Sequence, residues 1–505
     1  MLQHDANNDE SNVDETHHEH GSAVAPAILR LVPRPFRFDH APIEASGLAL
    51  DIYGRGAVIM SSLFLGPALL ELAYDAAGCK QNDDEVECEA KIYGFRPSSL
   101  LSNIAIVAGL LASVLLPLFG AIVDHTQYRR PVGAYTAAAL TVVKGVEMMV
   151  GATTWFYVAM LQVVSSLLYN FHITATYAYT SELSSDGSKQ SEYNSAFFVI
   201  LYVSCLLFMI EVLTVAGIAG TDDIGTARIS QGITATTAAI CFSLAWKYLF
   251  RDRPALSQVP HGMNLVTCGF RKILQTFTQI HREHRALQRL MLSVMFAEAA
   301  SGALITIATT YMKDVLRLDS TEIGSVLLVV LLMGVPGSKL GGYLAVKLRN
   351  PVASAQMCNA VFIGTTSLAS YFLTGPEDKG TLFIFGAFWG LCISWQGPVH
   401  VASYISIIPA GQQAELMGIY LLCGQVLAWL PPLLFTVLNE YEFPMAWGLA
   451  SLNIFFGLAL ACLFCLGDYN SAVAHVRDGI ELSAPHDNAS EHPIIAVQEE
   501  TGVFT

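Results

Sequence analysis

Residues 98–123 read SSLLSNIAIVAGLLASVLLPLFGAIV, a run of 26 residues without one charged side chain. An apolar stretch of about 20 residues or more is the length of a helix that crosses a hydrocarbon core of roughly 30 Å. Backbone groups in lipid must pair within their own segment, so this run is expected to be a spanning helix. It is not alone. Eleven more apolar segments follow the same reading, at 46–75, 132–152, 155–182, 192–216, 229–250, 289–312, 320–345, 352–374, 380–408, 416–438 and 444–467. The whole chain agrees with them. Apolar types make up 53% of its 505 residues and charged types 14%, against about 25% charged in soluble domains. The expected class is an all-α membrane protein with twelve transmembrane helices.

The polar remainder organises these spans. Residues 251–288 divide them six and six and carry Arg251, Arg253, Arg271, Lys272, Arg282 and Arg285. Within it, 264–288 alternates apolar and basic residues, the pattern of an amphipathic surface helix. The expected units are a tail at 1–45, six helices at 46–250, a cytosolic central loop at 251–288, six helices at 289–467 and a tail at 468–505. Both tails are acidic and polar and read as solvated. With the N-terminus in the cytosol, inner loops hold eleven Lys and Arg residues and outer loops seven. The positive-inside bias therefore puts both termini in the cytosol. The sequon at Asn488 would then escape glycosylation. The first 20 residues lack a basic start and an apolar core, so no cleavable signal peptide is expected.

The net charge of −15 argues against nucleic acid as a partner. Seven of the ten cysteines lie in apolar spans, and Cys268 lies in the central loop. Cys79 and Cys88 fall in the polar segment 76–97, where an oxidising compartment would allow a small-loop disulfide; two free thiols are the alternative. The run His17-His18-Glu19-His20 reads as solvated tail rather than as a metal site. No P-loop, nucleophile elbow or specific metal-ligand spacing occurs, so neither ATP hydrolysis nor any other enzyme activity nor a cofactor is expected.

The halves resemble a parallel repeat with a period of about 225 residues, Tyr179-Thr180-Ser181 falling against Tyr404-Ile405-Ser406. Six plus six spans with cytosolic ends resembles the major facilitator superfamily, whose halves are parallel repeats. A local motif agrees. Gly120-Ala-Ile-Val-Asp124-His-Thr-Gln-Tyr-Arg129-Arg130 resembles that superfamily's G-x-x-x-D-x-x-x-x-R-R/K signature. The resemblance implies that Asp124, Arg129 and Arg130 gate the cytosolic side, the Asp pairing with Arg and capping a neighbouring helix. The plainer reading is an ordinary basic inner loop. A degenerate copy at Gly337, Gly341, Gly342, Lys347 and Arg349 lacks the acid.

A second stretch narrows the resemblance. Phe388-Trp-Gly390 through Gln396-Gly397-Pro398, followed by Pro409, Gly411, Ala414, Glu415, Gly418 and Tyr420, is similar to the vacuole effluxer family within that superfamily. Gly424 and Pro431-Pro432-Leu-Leu-Phe435 also fit, whereas Leu50-Asp51-Ile52-Tyr53 matches the family's Y-D-x-A start only loosely. The resemblance implies export of small solutes, amino acids above all, from a vacuole or lysosome, with the plasma membrane as the other location. Glu415 falls in a first helical turn, where the helix dipole favours an anion. It reads either as a moving gate or as a structural cap.

Ionisable residues inside spans are costly unless paired or wetted, so each is a candidate site. Asp51 and Arg55 share a helix face four residues apart, and Lys144 and Glu147 lie three apart. Glu211 and Glu298 have no obvious local partner. For an amino acid zwitterion, Arg55 or Lys144 would take the carboxylate and Asp51 or Glu298 the ammonium. A carboxylate desolvated at Glu211 or Glu298 suits coupling to protons. Snorkelling of Asp51 and a static Lys144–Glu147 pair are the plainer readings. Asn170, His172, Gln396 and His400 either line the cavity or hydrogen-bond between helices. Trp155, Trp246, Trp389 and Trp447 sit near span ends, where interface belts explain them. Sugar or carboxylate carriage, and a non-transporting sensor, are the alternative functions.

Overall fold

The computed structural model describes residues 32–38, 41–79, 90–180, 182–184, 187–255, 264–408 and 413–474. These are helical nearly throughout, and the β-pairing among the described residues is one bridge between Ile92 and Phe95. Six helices form the first half: α1 (Ile43–Ala76), α2 (Leu100–His125), α3 (Arg129–Glu147), α4 (Trp155–Thr180), α5 (Gly187–Ala219) and α6 (Asp223–Leu244). A wider turn, Ala245–Leu249, extends α6. The central segment carries α7 (Leu265–Glu283). The second half comprises α8 (Arg285–Asp314), α9 (Ser320–Lys347), α10 (Pro351–Phe372), α11 (Lys379–Ile407), α12 (Gln413–Val426), α13 (Leu430–Glu440), α14 (Met445–Ala450) and α15 (Leu452–Leu466).

Nine helical stretches among the described residues are long and apolar enough to cross a membrane. The twelve expected spans all have a helical counterpart, but α3, α6 and α10 fall short of that mark. The reason lies in their side chains. Helix α3 carries Arg129, Arg130, Lys144 and Glu147, α6 carries Asp223, Arg228 and Gln231, and α10 is rich in Ser, Thr, Asn and Gln. These polar groups turn into protein: Lys144, Glu147, Gln231, Asn359 and Thr366 are buried. Two expected spans are divided. The 444–467 segment parts at Ser451 into α14 and α15. The 416–438 segment parts into α12 and α13, because Pro431 and Pro432 lack the N–H that would continue a helix and occupy the first positions of a new one. Pro117, Pro336 and Pro398 instead lie inside continuous helices.

Helix starts follow local capping chemistry. Asp319 accepts from the Glu322 N–H at 2.7 Å while Glu322 accepts from the Asp319 N–H at 3.0 Å, a reciprocal box that begins α9. Asp222 and Asn350 cap α6 and α10 through their own side chains. Helices α9 and α11 cross closely. An added Cβ on Gly337 would run into the Leu391 carbonyl, and one on Gly390 into that of Val330, so glycine sets the distance between these backbones.

The amphipathic helix expected at 264–288 is α7. It lies along α2, with Gly269 against the Pro117 carbonyl and Cys268 Sγ 3.4 Å from His125 Nε2, while Phe270 and Leu274 remain exposed. In each half, a polar cluster forms around the first helix, and these clusters hold the candidate residues.

Candidate functional site

In the first half, Asp51 is completely buried on α1 and is met from three helices. Its Oδ1 accepts from the Trp246 indole N–H at 2.8 Å and lies 2.8 Å from His172 Nε2. Its Oδ2 faces Arg55 Nε at 2.8 Å, the four-residue pair read from the sequence. His172 Nδ1 in turn lies 3.0 Å from Thr136 Oγ1 on α3. The carboxylate thus ties α1, α3, α4 and the α6 extension together, with a guanidinium to balance its charge. A snorkelling Asp51 does not describe this geometry. Trp246 is no belt residue either: it is buried, as are Trp155 and Trp389, and of the four tryptophans only Trp447 is exposed. Each buried indole sits within the helix packing near a span end, which is why position along the span misleads.

Lys144 Nζ donates to Glu147 Oε2 at 2.9 Å, and Gln162 Nε2 reaches the same oxygen at 3.4 Å. Both charged groups are buried, with side-chain exposures of 1% and 0%. Asn170 bonds the Ser166 carbonyl within its own helix, and Glu211 stands exposed on α5.

The second half carries a counterpart of the Asp51–His172 pair. Glu298 on α8 lies 3.3 Å from His400 Nδ1 on α11, so each half places an acid from its first helix against a histidine from its fourth. Gln396, one turn before His400, donates to Ser301 Oγ at 3.3 Å. Unlike Asp51, Glu298 is 34% accessible, although α11 and Gly424 of α12 pack beside it. His400 Nε2 and Gln396 Oε1 are buried without a hydrogen-bond partner.

The signature loop holds the first half together at the face that carries the central segment. Arg129 is fully buried, its guanidinium 2.9 Å from Glu182 and 5.6 Å from the Tyr179 ring centre. Arg130 donates to Asp252 at 3.0 Å and to the Lys247 carbonyl at 3.2 Å. Glu44 pairs with Arg253 at 3.0 Å on the same face. These ties of Arg129 and Arg130 stay within the first half and the start of the central segment and do not reach the second half. Asp124 is half-buried in the last turn of α2. The Glu415 side chain, Cys88, the sequon and the His17–His20 run lie outside the described residues. Cys79 is disulfide-bonded.

The opposite face, where α1 ends and α2 begins, carries a set of charges that linear reading counts only as loop residues or passes over. Lys313 of α8 contacts Asp223 of α6 and lies 3.5 Å from Glu71 of α1. Asp223 also accepts from the Ser320 N–H at 2.8 Å. Tyr74 donates to Asp314 at 2.8 Å. Glu440 accepts from the Arg96 N–H at 2.8 Å and Ser99 at 2.9 Å and pairs with Lys91 at 3.0 Å. Ser102 and Thr436 lie 2.7 Å apart. Every one of these contacts joins the first half to the second. Deeper in, Tyr202 and Ser394 meet across the halves at 2.6 Å. The sequence signal for this lock lies in the acids and bases clustered at span ends, but nothing in it says which loops meet.

The fold has many solved counterparts. A point mutant of the nucleoside transporter NupG matches with a TM-score of 0.59 at 11% identity, covering 84% of this chain and 98% of that one. The peptide transporter POT in complex with sulfate gives 0.57 at 14%, covering 90% and 99%. The inward-open xylose transporter XylE from E. coli gives 0.57 at 13%, covering 85% and 96%. At such identities the likeness is one of fold, and the fold is that of major facilitator transporters. No curated protein sequence matches the chain. The family described as "Vacuole effluxer Atg22 like" matches residues 52–474, most of the chain's length. The chain is a membrane transporter that belongs to the vacuole effluxer family.

Proposed function

We propose that the protein moves amino acids from a vacuole or lysosome to the cytosol by alternating access between two six-helix bundles, 46–250 and 289–467. The central segment and both termini face the cytosol in this reading. The observation that carries it is the lock of Lys313, Asp223, Glu71, Tyr74, Asp314 and Glu440, which joins the halves at the face of the α1–α2 loop. A transporter shut at one face offers its solute site to the other. In this arrangement the shut face is the lumenal one and the chamber addresses the cytosol. The Asp124–Arg130 loop then bridges the halves in the opposite state.

Glu298 is the acid best placed to meet solute, because it is buried among inner helices yet partly accessible. Arg55, paired with Asp51 in this arrangement, is the cationic candidate for a carboxylate. Lys144 and Glu147 serve as a static tie, since both are consumed by each other inside the first half. Counterflow in proteoliposomes tests the reading. Leucine and tyrosine are expected to exchange and sugars are not. Glu298→Gln and Arg55→Ala are expected to slow the exchange; normal rates for both variants across pH would remove these assignments.

A further inference from the structure

The two halves hold the same acid–histidine pair, and their differences identify what is missing from one of them. Around Asp51, a guanidinium and an indole N–H complete the carboxylate: Arg55 at 2.8 Å and Trp246 at 2.8 Å. Arg55 stands four residues after Asp51, one turn along the same face of α1. The residue four after Glu298 is Gly302. It is exposed, and a Cβ built there would meet nothing within 4 Å. Glu298 therefore faces open space at the place where the first half keeps its own cation. Its neighbours His400 and Gln396 supply no such cation-bearing arm and keep their second polar atoms buried. His400 donates or shares its Nδ1 proton with the carboxylate, which leaves Nε2 as a lone-pair acceptor in the neutral ring, and Gln396 Oε1 is a second acceptor without a partner. A buried polar group left unpaired costs about 1–3 kcal/mol, so this cluster is incomplete as it stands.

We infer that the space beside Gly302 receives the cationic N–H group of the transported solute, which takes against Glu298 the place that Arg55 takes against Asp51. A protonated primary amine fits: it carries one positive charge and three donors and no acceptor, matching a partly accessible carboxylate that lacks a cation. This rests on the transport reading and deepens it, by assigning Glu298, held by His400, to the amine end and Gly302 to the room it needs.

The test uses leucine and two fragments of it on the full-length purified protein. Isopentylamine keeps the ammonium and lacks the carboxylate, and 4-methylpentanoate keeps the carboxylate and lacks the ammonium. Binding is read from ligand-dependent thermal stabilisation. The wild type is expected to bind isopentylamine at least about 30-fold more tightly than 4-methylpentanoate, as for a solute that supplies one partner of a buried charged pair. Gly302→Arg, which brings its own cation, and Glu298→Gln, which removes the anion, are each expected to weaken isopentylamine binding by a similar factor. Glu298→Gln changes no volume, so it reports even where the larger Gly302 substitution fails to fold. Equal binding of the two fragments, no binding of isopentylamine by the wild type, or undiminished binding by Glu298→Gln overturns the inference. Leucine counterflow by the wild type is scored separately, so failure of the transport reading shows there whatever the amine result.

Discussion

Lys313→Met should open the face of the α1–α2 loop. Lys313 is a single buried cation, 7% exposed, between two acids of the other half: Asp223, also 7% exposed, and Glu71 at 3.5 Å. Removing it leaves two carboxylates facing each other in a site built for a charge between them. Breaking a buried pair in this way costs about 3–5 kcal/mol. The cost falls on the shut arrangement alone, because separating the halves returns both carboxylates to water. Taking about 3 kcal/mol, and 1.4 kcal/mol per factor of ten, the balance between shut and open at this face moves roughly 100-fold towards open. Ser102 reports the change. It is buried and meets Thr436 across the halves at 2.7 Å, so a cysteine there is covered when the face is shut. In a chain with Cys462 and Cys465 replaced by Ser, the Ser102→Cys thiol should react with an impermeant maleimide far faster in the Lys313→Met background. Adding Asp223→Asn should slow it again, since the neutral amide no longer opposes Glu71. An unchanged labelling rate in Lys313→Met would refute the claim that this cluster holds the halves together.

Asp51→Asn should destabilise the first half by about 3–5 kcal/mol, because Arg55 then stays buried without its counter-charge; thermal unfolding of the purified protein equal to that of the wild type would contradict this. Gly390→Ala should cost about 1–3 kcal/mol by driving α11 off the Val330 carbonyl, whereas Gly364→Ala, where a Cβ meets nothing within 4 Å, should be neutral or stabilising by up to about 1 kcal/mol; the same melts compare them. Peptide mapping without reductant should recover Cys79 linked to Cys88, and a link to any other cysteine would dismiss the small-loop bridge. Glu182→Gln should leave the Arg129 guanidinium buried without a counter-charge and lower stability by about 3 kcal/mol, read against Arg130→Gln, whose partner Asp252 is exposed and whose loss should cost below about 1 kcal/mol.

Pairs that lie on one helix are open to linear reading. Asp51–Arg55 at a spacing of four and Lys144–Glu147 at a spacing of three both form, because helical geometry alone puts such residues on one face. The amphipathic α7 is legible for the same local reason. Partners that come from elsewhere are not. His172 and Trp246 reach Asp51 from 121 and 195 residues away, and the place of Trp246 near a span end points to the membrane interface instead. Helices α3, α6 and α10 were legible as spans although they fall below the apolar mark the others reach, since several of their polar residues are covered by neighbouring helices rather than by lipid.

Local composition settled that the backbone is helical and embedded in lipid, for a carbonyl or N–H in hydrocarbon has no partner except within its own segment, and a run of apolar residues announces that environment by itself. It also pointed to the family, through loop motifs whose residues are contiguous. Which acids are neutralised and which stand open was decided only when the helices packed. Asp51 and Glu298 are both carboxylates on the first helix of their half, but one meets a guanidinium one turn away and the other a glycine with empty space. A buried charge takes its character from what surrounds it in three dimensions, and those surroundings are assembled from helices far apart in the chain.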